Sequence, residues 1–256
     1  MTTSAAGVTI LPYRRQGDID YSSLEFDPDL GERPPDHMQQ VREIWEFLDL
    51  IQAWLGDFYR RRDVFIDSGN FICYDRSNLN VRVAPDVYIA FGVDAEAIRS
   101  RRLYLPWEVG KPPDWVLEIA SDSTGRVDTG RKRRIYAEIG IPEYWRLDPS
   151  GGSYHGQPLS GERLVNGIYQ PIELTTEPDG ILKGYSDVLG ISLCWDDGRP
   201  RLYDPATGEY LRTASEERDL LRQSEALREQ SEAALEAERA ETRRLRERLR
   251  QLESGG

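Results

Sequence analysis

An aspartate, a glutamate and a lysine stand where two strands and a helix could bring them together for chemistry on a charged substrate. Asp86 lies in "APDVYIA", Glu118 in "PDWVLEIAS" and Lys132 in "DTGRKRRIY". Glu118 sits between Leu117 and Ile119 in a run that otherwise reads as a buried strand. A lone ionised carboxylate among apolar side chains protonates or takes a partner, so such a residue is rarely idle. Strand alternation puts Trp115, Leu117 and Ile119 on one face and Val116, Glu118 and Ala120 on the other, and Asp86 shares its face with Ala84, Tyr88 and Ala90. Two carboxylates projecting among small side chains leave room between them. They call for a hard cation, Mg²⁺ or Mn²⁺, which takes carboxylates, backbone carbonyl and water as ligands.

The positive group comes from the following helix. Asp128, Lys132 and Tyr136 recur at i, i+4 and i+8 and share one face, so Lys132 can reach the carboxylates if that face packs over the sheet. Metal plus lysine equips a site for phosphodiester hydrolysis: the ion activates water, and the amine orients the nucleophile or offsets phosphate charge. Each residue also has a plainer role. Asp86 by itself reads as a strand-edge aspartate after Pro85, Lys132 belongs to the basic cluster "GRKRR" of a kind usually solvated, Asp128 suits the positive end of a helix dipole or a partner for Lys132, and Tyr136 suits packing. His155, in a Gly-rich loop, reads as inert to catalysis.

The elements that must position these groups can be read from periodicity. "PPDHMQQVREIWEFLDLIQAWLGDFYRRR" gives an amphipathic helix with Met38, Val41, Ile44, Trp45, Leu48, Ile51, Trp54 and Leu55 on its apolar side, Asp36 as N-cap and Gly56 near its end. "DVFIDSGNFICYD" and "VRVAPDVYIAFG" read as neighbouring strands, "PDWVLEIAS" as a third, and "EYWRLDP" as a fourth beyond a helix closed by Gly140 and Pro142. Strand, helix, strand implies a crossover, hence an α/β fold with a mixed β-sheet flanked by helices. Residues 1–36 read as an irregular lead-in that docks on the core and residues 37–212 as one domain, with its core at 80–150 and a β-rich annex at 151–212. Residues 213–256 read as a long charged helix opened by a Thr213/Glu216 capping box. Its heptads are imperfect: Leu220, Leu227 and Ala234 mark one seam, Leu235, Thr242, Leu245, Leu249 and Leu252 one shifted by a residue, which allows either a coiled coil or a solvated helix.

With 256 residues and a net charge of -12, the chain does not suit a protein that coats nucleic acid through bulk positive charge, although a local basic or metal-bridged site remains open. No apolar run approaches the ~20 residues of a membrane span, and the start lacks a secretory leader, so the expectation is a soluble, cytoplasmic protein with no membrane partner. Cys73 and Cys194 lie far apart in strand-like segments and read as free buried thiols.

"APDVYIA", "PPDWVLEIASDST", "DTGRKRRIYAEIGIPEYWRLDP" and "GYSDVLGISL" together resemble the Uma2 family, also called DUF820, within the PD-(D/E)xK nuclease superfamily. The resemblance spans roughly Asp36 to Tyr210 and is densest from Pro112 to Pro149. It implies a restriction-endonuclease-like fold and an Mg²⁺- or Mn²⁺-dependent endonuclease acting on DNA. Asp86 after Pro85 would be the first acid, Glu118 the second, and Ile119 a donor of a backbone carbonyl to the metal. The superfamily lysine ordinarily stands two residues after the second acid, where this chain has Ala120, and members of the family carry it on the next helix, where Lys132 stands. The resemblance also points to His37 and to Glu43 or Glu46 on the first helix as supporting residues, although a cap or surface role suits His37. The alternative reading is a catalytically silent nuclease-fold module that serves binding or assembly through its C-terminal coiled-coil-like helix; under either reading the chain is open to forming a homo-oligomer through its core or that helix.

Overall fold

The computed structural model describes residues 2–3, 9–14, 38–101, 103–121 and 125–254. Among them the chain forms two compact units, Met1–Leu211 and Arg212–Gly256. Asp36 and His37, expected at the start of the first helix, lie outside the described residues.

The first unit opens with a two-stranded ribbon, β1 (Thr2–Thr3) and β2 (Thr9–Ile10), followed by helix α1 (Met38–Leu55), which ends at Gly56 with φ 73°. Residues just after β2 dock on the core through hydrogen bonds from Leu11 N to Gly92 O at 2.9 Å and Arg14 N to Glu108 O at 2.8 Å. Strands β3 (Val64–Asp67), β4 (Ile72–Cys73), β5 (Arg82–Val83) and β6 (Val87–Phe91) come next, then short helices α2 (Ala95–Arg101) and α3 (Pro106–Val109) and strand β7 (Trp115–Ile119). A helical segment made of α4 (Gly125–Val127), a π turn (Asp128–Lys132) and α5 (Arg133–Ile139) crosses to β8 (Glu143–Leu147). The remainder is β9 (Leu159–Val165), β10 (Ile168–Pro171), β11 (Leu174–Thr176), β12 (Leu182–Ser186), β13 (Ile191–Asp196), β14 (Arg199–Asp204) and β15 (Glu209–Tyr210).

A six-stranded mixed sheet in the order β10-β9-β8-β7-β6-β3 carries the site. Only its β7–β8 pair is parallel, as the crossover requires; β3–β6, β6–β7, β8–β9 and β9–β10 are antiparallel. The β-rich annex divides: β9 and β10 extend this sheet, while β11 to β15 form a separate five-stranded antiparallel one.

The two faces of the six-stranded sheet differ in kind. On one, Trp115, Leu117, Ile119, Trp145 and Leu147 pack with α1 and with Ile191, Leu193 and Leu202 of the second sheet. On the other, Val116, Tyr88, Ala90 and Tyr144 pack with Ile135, Tyr136 and Tyr169. Because α1 meets residues of both sheets, its buried surface is wider than one stripe. Phe47 and Leu50 are buried, and Phe47 stacks on Trp115 with ring centroids 5.4 Å apart. Trp45, expected on the apolar side, is 64% exposed, because the stripe turns toward Phe47 and leaves it at the rim.

The second unit is one helix, α6 (Ala214–Ser254), opened by the expected capping box: Thr213 N donates to Glu216 Oε2 at 2.8 Å and Glu216 N to Thr213 Oγ1 at 3.2 Å.

The burial of α1 sets a contrast in stability. Phe47→Ala should cost about 3–5 kcal/mol by the loss of a large buried aromatic. Trp45→Ala should change stability by no more than about 0.5 kcal/mol, as surface substitutions do. Urea denaturation followed by fluorescence measures both, and equal losses would contradict this placement of the helix.

Candidate active site

The β6–β7 register brings the two acids together. Val87 pairs with Leu117 and Tyr88 with Val116, so the same register continued by one residue sets Asp86 opposite Glu118. Asp86 Oδ2 accepts the backbone N–H of Ile119 at 2.6 Å, which ties its carboxylate to the end of β7. Asp86 is half-buried, and Glu118 is fully buried.

Lys132 arrives from the π turn, and its ammonium lies 2.8 Å from Glu118 Oε2 and 3.2 Å from Asp128 Oδ1. One turn further, Tyr136 donates its hydroxyl to Glu118 Oε1. The expected face of Asp128, Lys132 and Tyr136 therefore does pack on the sheet, with all three side chains buried. A π turn widens the helix by one residue per hydrogen-bonded loop and often marks a functional position. Here it lies between α4 and α5 and carries both Asp128 and Lys132. At the far end, Gly140, at φ 87°, closes the helix by donating to Tyr136 O and Ala137 O, each at 3.1 Å.

The surroundings are not the small side chains that strand alternation suggested. The space beside Glu118 is filled by Tyr136, which meets Tyr144 edge to face at 5.1 Å between ring centroids. The Tyr144 hydroxyl donates to the backbone oxygen of Asp128 at 2.9 Å. Helix and sheet are thus joined by phenols as well as by charge.

Electrostatics follow from two buried carboxylates, Glu118 and Asp128, sharing one ammonium, with the half-buried Asp86 acting on it through its charge. Burial lowers the affinity of Lys132 for its proton, but Glu118, Asp128 and Asp86 outweigh it and push its pKa above the ordinary lysine value. The pKa of Glu118 lies well above the usual carboxyl range: burial raises it most, Asp128 and Asp86 add to the rise, and Lys132 opposes it. Asp128 goes the other way, because burial is outweighed by Lys132 and His155, which together hold it below the usual aspartate value. Burial, the Glu118 charge and Tyr144 raise the Tyr136 hydroxyl well above its ordinary value, so it stays a donor. The cluster therefore carries excess negative charge and gains from taking up a proton or a cation.

That excess, on two hard carboxylates of adjacent strands, fits a divalent ion. Among the described residues no three His, Cys, Asp or Glu side chains gather as a metal cluster. An ion here would rest on Asp86, Glu118, a backbone oxygen such as that of Ile119, and water, a mixture that Mg²⁺ accepts.

Other expected participants lie elsewhere. Glu43 is buried on α1, which packs against the opposite, apolar face of the sheet; its charged neighbours are Arg42 and Glu46, and burial raises its pKa. Glu46 bonds to Arg42 and Arg199. The first-helix glutamates are therefore not brought to Glu118. His155, read as inert, has its imidazole fully buried with Nε2 3.0 Å from Asp128 Oδ2. Arg146, paired with Glu118 in the β7–β8 register, was not singled out by the sequence; Glu162 and Ser160 take its guanidinium, each at 3.0 Å.

A mixed six-stranded sheet whose one parallel pair is joined by a helical crossover defines an α/β protein. The protein-family model for Uma2, described as "Putative restriction endonuclease", matches residues 30–236, and the chain belongs to that family. Among solved structures it is similar to a "putative nuclease belonging to DUF820" from Anabaena variabilis ATCC 29413, with 14% identity, a TM-score of 0.40, and coverage of 58% of this chain and 73% of that one. No curated protein matches the chain. No helix among the described residues is long and apolar enough to cross a membrane.

The buried ion pair gives a signed prediction. Lys132→Met leaves Glu118 and Asp128 without their ammonium and should destabilise the fold by about 3–5 kcal/mol at neutral pH. The loss should shrink as pH falls toward the ordinary carboxyl range: the unpaired Glu118, its folded pKa raised, binds a proton in the folded chain before it does in the unfolded one. Adding Glu118→Gln to Lys132→Met should recover part of the loss, whereas additive losses in denaturation across pH would contradict the pairing.

Proposed function

We propose that this protein is a divalent-metal-dependent endonuclease that hydrolyses DNA phosphodiester bonds, with Asp86 and Glu118 holding Mg²⁺ or Mn²⁺ and Lys132 assisting from the helix. The observation that carries this reading is the 2.8 Å approach of Lys132 Nζ to Glu118 Oε2. A lysine displaced from its usual strand position to a helix still meets the second acid. The family supports nuclease chemistry, and the excess negative charge supports a cation.

When bound, the ion would supply activated water and Lewis-acid stabilisation of the phosphoryl oxygens. Asp86 and Glu118 would hold it at the ends of two adjacent strands, with the Ile119 carbonyl as a further oxygen. Lys132 serves as a fixed positive charge and hydrogen-bond donor, since the neighbours that raise its pKa keep it protonated, with no free lone pair to take a proton from water. Its ammonium orients the nucleophile or offsets charge developing on the phosphate. Tyr136 fixes Glu118 Oε1 and leaves Lys132 to act on the other oxygen's side.

A second reading has its own observation: both oxygens of Glu118 are already engaged, and Ala120 stands where the superfamily lysine is usual. Under it, the chain is a silent nuclease-fold module, and α6, with Leu220, Leu227, Leu235 and Leu245 exposed, is the assembly element.

Supercoiled-plasmid cleavage separates the two. The wild type should nick or linearise DNA with Mg²⁺ or Mn²⁺ and stop on chelation, and Glu118→Ala and Lys132→Ala should each lose about 100-fold or more. Cleavage that survives Glu118→Ala would contradict the site. No cleavage, together with no rise in Tm at millimolar Mg²⁺ or Mn²⁺, would favour the silent module, because a ligand that binds the folded state at 100 times its Kd stabilises it by about 2.7 kcal/mol.

A further inference from the structure

We infer that His155 is a positioning residue that fixes Asp128, and through Asp128 sets the direction of the Lys132 ammonium; its catalytic meaning rests on the endonuclease reading. The two oxygens of Asp128 are divided between these partners: Oδ1 faces Lys132 at 3.2 Å and Oδ2 faces His155 Nε2 at 3.0 Å. An ionised carboxylate accepts, so the imidazole presents its proton on Nε2. Its Nδ1 is buried with no hydrogen-bond partner, which costs less as a bare lone pair than as an N–H. Lys132 in turn meets Glu118 at 2.8 Å. Imidazole, carboxylate, ammonium and carboxylate thus form one chain from the loop after β8 to the middle of the sheet.

That loop is built to hold the histidine. The Asp148 carboxylate, fully buried at its base, accepts the backbone N–H groups of Ser150 at 2.9 Å and of Tyr154 and His155 at 2.8 Å each. Its backbone oxygen takes Trp195 Nε1 at 3.0 Å. The loop then presses on the start of the helical segment. A Cβ on Gly125 would stand 2.7 Å from Tyr154 O, so a residue without a side chain is needed there. The groups facing Asp128 are Lys132 from its own π turn, His155 from the loop, the Glu118 charge from β7, and Tyr144 from β8 on its backbone oxygen.

Without the imidazole, Asp128 keeps its charge but can turn about its side-chain bonds, and Lys132 loses one of two carboxylates that aim it. A misdirection of about 1 Å is enough to cost about 100-fold in a positioned reaction.

Two measurements test this. The first needs no catalysis: trace acetylation at alkaline pH, read by mass spectrometry, compares Lys132 with Lys111 and Lys183 in the same molecule. Those two have more exposed side chains, 26% and 20% against 6% for Lys132. Lys132 should react slowest in the wild type, about tenfold faster relative to the other two in His155→Ala, and near the wild-type rate in His155→Gln, whose amide nitrogen can replace Nε2 as donor. An unchanged Lys132 rate in His155→Ala, or a joint rise of all three lysines from general loosening, would overturn the inference. The second is plasmid cleavage, where His155→Ala should lower kcat about 10–100-fold with KM changed less than about threefold, and His155→Gln should recover most of it. A KM effect alone, or no rescue by glutamine, would overturn it as well. If the wild type does not cut at all, the endonuclease reading fails, while the acetylation pattern still decides the role of His155.

Discussion

A lysine ammonium buried against carboxylates is the interaction on which the rest of this structure depends. Lys132 meets Glu118 on the sheet and Asp128 on its own turn, with all three buried. Removing such charges from water costs several kcal/mol per ion, and only close partners and further hydrogen bonds offset it. Hence the company they keep: Tyr136 on the second oxygen of Glu118, His155 on the second oxygen of Asp128, Tyr144 on the Asp128 backbone. The helical segment between β7 and β8 is more than a crossover connection. It is pinned to the sheet by charge, and the π turn carries the residues that do the pinning.

The sheet divides its labour between faces. Cohesion comes from the apolar face, where the Phe47–Trp115 stack and the aliphatic residues of α1, β7, β8 and the second sheet form one core. The opposite face is rich in tyrosines, which fill volume like other aromatics yet bring hydroxyls to the charged groups. A site with unbalanced charge can persist there because its stability is supplied from the other side. The same separation explains why Glu43, buried on α1, does not join the acids.

Much of this could be read from the chain, and the failures have physical causes. Glu118 betrayed itself as a charge inside an apolar strand, the alternation of β6 and β7 placed Asp86 on its face, and the four-residue spacing placed Asp128, Lys132 and Tyr136 together. These signals are local, carried by periods of two and of about four residues. Trp45 misled because α1 is covered by two sheets, so a single-stripe pattern ranks it with residues that are buried when Phe47 and Leu50 are the inward ones. The tyrosine packing around Glu118 was hidden because alternation gives a face without saying what the next layer brings. His155 was missed for the most instructive reason: its approach to Asp128 is set by a loop shape that depends on Asp148 gathering three backbone N–H groups. The only sequence trace of that shape is the Asp-Pro-Ser-Gly-Gly turn that begins it, which announces a turn and not its direction.

In the proposed endonuclease, Asp86 and Glu118 would hold a divalent ion beside the buried Lys132 ammonium. Anomalous diffraction from crystals soaked in Mn²⁺, collected on both sides of the manganese edge, tests this central claim most directly. A single strong peak within coordination distance of the Asp86 and Glu118 carboxylates, absent in Glu118→Gln crystals, is the result this account requires. Crystals saturated with Mn²⁺ that show no peak there, or one that survives in Glu118→Gln, would contradict it.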